Sequence, residues 1–118
     1  MNPEELKNRT KKFALRVLNL ADKLPRSVKG RVLSDQIARA GTSAAANYRA
    51  ACKARWRAEF VAKIGVAEEE ADEVQFWLEL ICEDNLVPVH RLNDLQHEAR
   101  ELTAIFAASR KSASRGGK

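Results

Sequence analysis

Four residues could, by type and spacing, gather a metal ion: His90, Asp94, His97 and Glu101 follow one another at steps of four, three and four. A carboxylate-bridged metal centre in a helical bundle needs inward Glu residues and a Glu-x-x-His motif on each of two helices. This chain offers a single Asp94-x-x-His97 and no second copy. The stripe also lies away from the apolar seam Leu92, Leu95, Ala99 and Leu102. It reads as a solvated or interface face, with His97 and Glu101 as an i,i+4 pair, and no metal is expected.

Acid–base chemistry is the next possibility, at Glu68, Glu69, Glu70, Asp72 and Glu73. Successive helical residues point in different directions, and such charge runs are usually solvated. General acid–base catalysis needs positioned groups in a shifted environment, and nothing in the pattern marks a pocket. The serines lack His and carboxylate company in a recognisable motif, and no glycine loop is built to cradle phosphates. Cys52 and Cys82 have no zinc-site spacing. They fall near the ends of the second and third helices, which places them on the order of 40 Å apart if those helices are antiparallel, beyond disulfide reach. The chain reads as a non-enzyme without cofactor.

Charge is more informative. The net charge of +5 over 118 residues is unevenly spread. Residues 1–63 hold 15 Lys+Arg against 5 Asp+Glu, a net of +10, whereas residues 64–118 hold 6 against 11, a net of −5. This polarity suits nucleic-acid contact by the basic half, or contact between copies of the chain and with a protein partner. The candidate phosphate-contacting residues are Lys7, Arg9, Lys11, Lys12, Arg49, Lys53, Arg55 and Arg57, expected at one end of a bundle. Trp56 stands among them, either to stack on a base or to pack in a core or interface. Binding of this kind is governed by phosphates, sensitive to salt and poor in sequence discrimination.

Helices must position these groups. A third helix, about Arg57 to Asp84, carries the unbroken seam Phe60, Ile64, Ala67, Ala71, Val74, Leu78 and Ile81, a heptad pattern that predicts gentle supercoiling. The first, about Pro3 to Leu24, repeats it with Leu6, Thr10, Phe13, Val17, Leu20 and Leu24. The second, about Ser27 to Lys53, uses Leu33, Ile37, Ala40, Ala44, Asn47 and Ala51, with Gly30 weakening its first turn. The fourth, about Pro88 to Arg110, uses Leu92, Leu95, Ala99, Leu102 and Phe106. Short links favour antiparallel neighbours and an all-α, up-down-up-down four-helix bundle over residues 1–110. The basic, aperiodic tail 111–118 is expected to be disordered. No apolar run approaches the length of a membrane span and no leader segment is evident, so a cytoplasmic address is expected.

Leu33 to Arg49 is crowded with alanine, glycine and serine, as suits a helix approached closely on more than one side. Asn47, at a seam position, reads as a buried polar residue fixing register. Gln36 and Arg39 are expected to bridge neighbouring subunits against carboxylates of the third helix, and Ser43 belongs to the same assembly stripe.

The series Leu33, Gln36, Ile37, Arg39, Ala40, Ser43, Ala46 and Asn47, then Glu59-Phe60 and Ala67-Glu-Glu-Glu70-Ala71-Asp-Glu73, resembles the intervening-sequence proteins of large-subunit ribosomal RNA genes, also called S23-like. The resemblance spans all but the tail. Tyr48-Arg49-Ala50-Ala51-Cys52 stands where many relatives have an aliphatic residue and a Glu-Gly pair, and Gly65-Val66 where many have Gly-Ser, which marks a divergent branch. The resemblance implies a homopentameric ring of four-helix bundles. It also implies nucleic-acid contact, since a related branch serves diversity-generating retroelements as a basic accessory protein.

Overall fold

Asn2 and Glu5 start the first helix reciprocally: Asn2 Oδ1 accepts from the Glu5 amide at 2.8 Å, and the Asn2 amide donates to Glu5 Oε1 at 3.0 Å. This capping box, with Pro3 in the first turn, satisfies amide groups that the helix cannot pair itself. In the computed structural model, which describes residues 1–116, the helices are α1 (Pro3–Asp22), α2 (Val28–Cys52), α3 (Arg57–Glu83) and α4 (Val89–Arg115). They form an elongated body of 50 × 22 × 20 Å. Helix α1 packs along α2, α2 along α3 and α3 along α4, while α1 and α4 meet over a narrower strip.

The heptad seams of α1, α3 and α4 form the core together with a buried line of α2. Leu6, Thr10, Phe13, Val17 and Leu20 of α1 are buried, as are Ile64 to Ile81 of the α3 seam and Leu92 to Phe106 of the α4 seam. Phe60 is half-buried at the edge of this core. Thr10 is buried within it, and its hydroxyl donates to the Lys7 carbonyl at 2.9 Å; among the described residues no buried side-chain nitrogen or oxygen lacks a partner. Ala40, Ala44, Ala67, Ala71 and Ala99 are fully buried, which lets the helix backbones approach closely.

Helix α2 departs from the seven-residue rule. Its buried line runs Leu33, Ile37, Ala40, Ala44, Tyr48 and Ala51, so Tyr48 takes the slot expected for Asn47. The steps three, four and four from Ile37 to Tyr48 make an eleven-residue repeat, close to the natural 3.6 residues per turn. The Tyr48 ring stacks on Phe106 with centroids 5.6 Å apart. Asn47 is half-exposed instead, its Nδ2 donating to the Ser43 carbonyl at 2.9 Å and hydroxyl at 3.1 Å.

Two glycines mark close approaches on α2. A Cβ at Gly41 would lie 2.8–2.9 Å from three side-chain carbons of Val17, so α1 crosses α2 where no side chain fits. A Cβ at Gly30 would sit 1.8 Å from the Pro25 carbonyl oxygen. The first turn that Gly30 was expected to weaken is secured by Ser27, whose hydroxyl accepts from the Gly30 amide at 3.0 Å. Asn85, with φ 56°, turns the chain between α3 and α4, a left-handed conformation that Asn tolerates.

Helix α4 extends through Arg115, past the Arg110 end read from the seam. Residues 111–115, expected in a disordered tail, are therefore helical. Alanine, lysine and arginine are good helix formers, and basic residues favour the negative C-terminal end. Gly116 caps α4, and the last two residues of that expected tail, Gly117 and Lys118, lie outside the described residues. No described helix is long and apolar enough to cross a membrane.

Candidate functional site

The α1–α2 crossing leaves a groove of about 400 Å³ lined by Glu4, Lys7, Asn8, Thr10, Lys11, Ala45, Ala46 and Arg49. Helical spacing aligns Glu4, Lys7 and Lys11 along one wall, and Ala45 and Arg49 along the other. The short Ala45 and Ala46 side chains leave the space that the longer Lys7, Lys11 and Arg49 border. Lys7 Nζ lies 3.3 Å from Glu4 Oε1, an exposed pair of little energetic weight. Lys11 and Arg49 have no ion pair among the described residues.

The structure thus brings three of the eight expected phosphate contacts into one groove. Lys12 is exposed on α1 but does not line it. Lys53 caps α2 one turn beyond Arg49, and Trp56 is flanked by Arg55 of the following link and Arg57, the first residue of α3; the Lys12, Lys53, Arg55 and Arg57 side chains are all exposed. Arg9 does not join them. It donates to both oxygens of Glu98 and to Glu101 Oε1 at 2.6 Å, tying α1 to α4. The hydrogen bonds to Glu98 and Glu101 outweigh burial and hold its guanidinium further above the ordinary arginine range. Sequence spacing carried no signal for that partnership, because Glu98 and Glu101 lie on a distant helix.

Glu101 also lies 2.9 Å from His97 Nε2. Arg9, then His97, hold the Glu101 carboxyl below the usual carboxylate range. Of the His90, Asp94, His97 and Glu101 stripe, Glu101 is thereby committed to the α1–α4 contact, and His97 pairs with it along α4.

A second polar set follows α2 at Gln36, Arg39, Ser43 and Asn47. Arg39 Nη2 donates to Gln36 Oε1 at 3.1 Å, and Asn47 donates to Ser43. Across from them stands Glu70 of α3. Burial, then the neighbouring Glu73, pushes the Glu70 carboxyl above its ordinary range, while the Arg39 charge and the Ser43 hydroxyl pull it back. Arg39 thus faces a carboxylate of α3 within its own subunit. Nearby, the Trp77 indole donates to Glu73 Oε1 at 3.0 Å. At the base of α2, burial and then the Cys52 thiol raise the Tyr48 phenol above its usual range. Cys52 and Cys82 are both free and half-buried.

Among the described residues no group of three His, Cys, Asp or Glu is placed to hold a metal ion. The groove lining carries three cations, Lys7, Lys11 and Arg49, against one carboxylate, Glu4.

The fold has relatives among known proteins. The crystal structure of a protein of unknown function from the S23 ribosomal protein family of Bacteroides thetaiotaomicron superposes with a TM-score of 0.86 at 32% identity, covering 94% of this chain and 99% of that one. Among curated proteins none matches. The model of the 23S rRNA-intervening sequence protein family matches residues 4–108. With the four helices, their seams and that match over most of its length, the chain belongs to the 23S rRNA-intervening sequence protein family.

Proposed function

We propose that this protein is a non-enzymatic, oligomeric four-helix bundle that contacts RNA or DNA phosphates through its basic α1–α2 surface. The observation that carries the reading is the groove that Lys7, Lys11 and Arg49 line together with Ala45 and Ala46, with Glu4 its one acidic lining residue. Phosphate oxygens are the natural occupants of such a cationic trough. The family's name links it to 23S rRNA, which fits a nucleic-acid partner and a cytoplasmic setting.

The same reading takes the helices as up-down-up-down and the assembly as a pentameric ring, with the Gln36, Arg39, Ser43 and Asn47 stripe serving register or assembly. The Lys29–Asp84 ion pair, 2.7 Å between the start of α2 and the residue capping α3, supports antiparallel neighbours. Equivalent subunits would repeat the basic groove around the ring.

Binding to unrelated duplex and single-stranded probes across a salt series tests the reading, alongside solution mass. Affinity that falls steeply with salt is expected. Absence of binding at low salt contradicts it and favours a second reading, an adaptor whose faces serve self-assembly and a protein partner. That alternative draws on exposed apolar side chains that one subunit leaves uncovered: Leu15, Leu18, Val28, Val32 and Phe76.

A further inference from the structure

Trp56 is 71% exposed, on the link between α2 and α3. An indole carries a large apolar surface, and large aromatic side chains left in water commonly mark a contact surface. Its position makes the exposure costlier. Trp56 is the residue that caps α3, yet its side chain makes no capping hydrogen bond. Ser, Thr, Asp or Asn there would stabilise the helix start. The backbone at Trp56 is extended, with φ −122° and ψ 149°, and the indole stays free of the core. The other tryptophan, Trp77, is half-buried and hydrogen-bonded to Glu73.

The surroundings of Trp56 are cationic. Lys53, Arg55 and Arg57 are all exposed, and the nearby acidic residue, Glu59, is turned to the Arg55 amide at 3.2 Å. Lys53 lies one helical turn beyond Arg49, which rims the α1–α2 groove. Cations therefore run from the groove along the end of α2 to the indole.

We infer that Trp56 is a stacking platform for an unpaired nucleic-acid base, so that this surface takes single strands in preference to duplexes. The inference rests on the phosphate-binding reading and deepens it. Phosphates on Arg49, Lys53, Arg55 and Arg57 supply charge neutralisation common to every nucleic acid. The indole adds a term available only to a base that is free of its partner strand, because a duplex hides its base faces. Stacking is tolerant of base identity, so the preference is for strandedness rather than sequence.

The test uses the full chain and three probes of equal length: oligothymidylate, oligouridylate and an unrelated duplex. Both single strands are expected to quench tryptophan emission, and Trp56→Phe to retain most of the affinity. Trp56→Ala is expected to weaken single-strand binding by about 5- to 150-fold, leaving duplex binding and helical content unchanged. Equal losses on duplex and single strands, or no quenching, overturn the inference while leaving phosphate binding intact. A changed solution mass of Trp56→Ala assigns the indole to subunit contact and overturns it too. Failure of the unaltered protein to bind any probe overturns both this inference and the reading beneath it.

Discussion

The Arg9 guanidinium grips the Glu98 carboxylate with two parallel hydrogen bonds, Nε to Oε2 and Nη2 to Oε1, each 2.7 Å long. This fork joins α1 and α4, which of the helix pairs in contact share the narrowest strip. Arg9 is thereby a structural strap, though its neighbours Lys7 and Lys11 face the groove. Arg9→Ala should lower stability by about 1 to 2 kcal/mol, the range for a charge-assisted pair with partial solvent screening. Chemical denaturation measures this, and the salt dependence of probe binding should stay unchanged. A weakened salt slope with unaltered stability would return Arg9 to the phosphate surface.

Gly41 and Val17 define how closely α1 approaches α2. Gly41→Ala gains helix propensity but presses a methyl group into Val17, a stiff β-branched residue, and should destabilise by about 1 to 3 kcal/mol. Adding Val17→Ala should recover part of the loss relative to the sum of the two single changes. Strict additivity in that double-mutant cycle would show that the two positions do not touch.

The core slot near the end of α2 belongs to Tyr48. Tyr48→Ala should cost about 3 to 5 kcal/mol by emptying the space against Phe106. Asn47→Ala should cost less than about 1 kcal/mol, since its hydrogen bonds are local and partly solvated. The reverse order, read from thermal or denaturant melts, would restore Asn47 as the buried register residue.

Much of the core was legible in advance because apolar residues recur at steps of three and four. Each seam residue from Ile64 to Ile81 and from Leu92 to Phe106 is buried as the period requires. The miss at Asn47 came from extending a seven-residue rule along a helix whose natural turn drifts by about 20° per heptad. Two consecutive steps of four, Ala40 to Ala44 to Tyr48, absorb that drift. Of the basic candidates, Lys7, Lys11 and Arg49 follow from helical facing once α1 and α2 are adjacent. The fate of Arg9 was illegible because it depends on α4, roughly ninety residues away along the chain. A helix-three carboxylate opposite Arg39 was anticipated, but spacing gave no sign that Glu70 would be half-buried.

Glu70 and Glu101 should respond to pH with opposite signs. Glu70 titrates above its ordinary value of 4.5 in the folded protein, so the native state retains a proton that the unfolded chain has released. Its charge therefore subtracts stability progressively as pH rises from 4.5 through its raised titration. Glu70→Gln should be more stable than the parent at neutral pH, with the difference vanishing below 4.5. Glu101 is depressed by Arg9, so its contribution is present above 4.5 and is lost as pH falls through its lowered titration. Melting curves of the parent and each Gln variant across this range check both signs. A constant offset for Glu70→Gln at every pH would contradict the burial penalty.

The most direct test of nucleic-acid contact compares salt slopes for the parent chain and a Lys7→Glu, Lys11→Glu, Arg49→Glu variant, using a single-stranded probe. All three side chains stand at the groove surface, so the variant should fold with the same helical content. Loss of three phosphate contacts should flatten the plot of log affinity against log salt by about 2 units and sharply weaken binding at low salt. A folded variant with the parent's affinity and slope would show that the α1–α2 groove holds no phosphate.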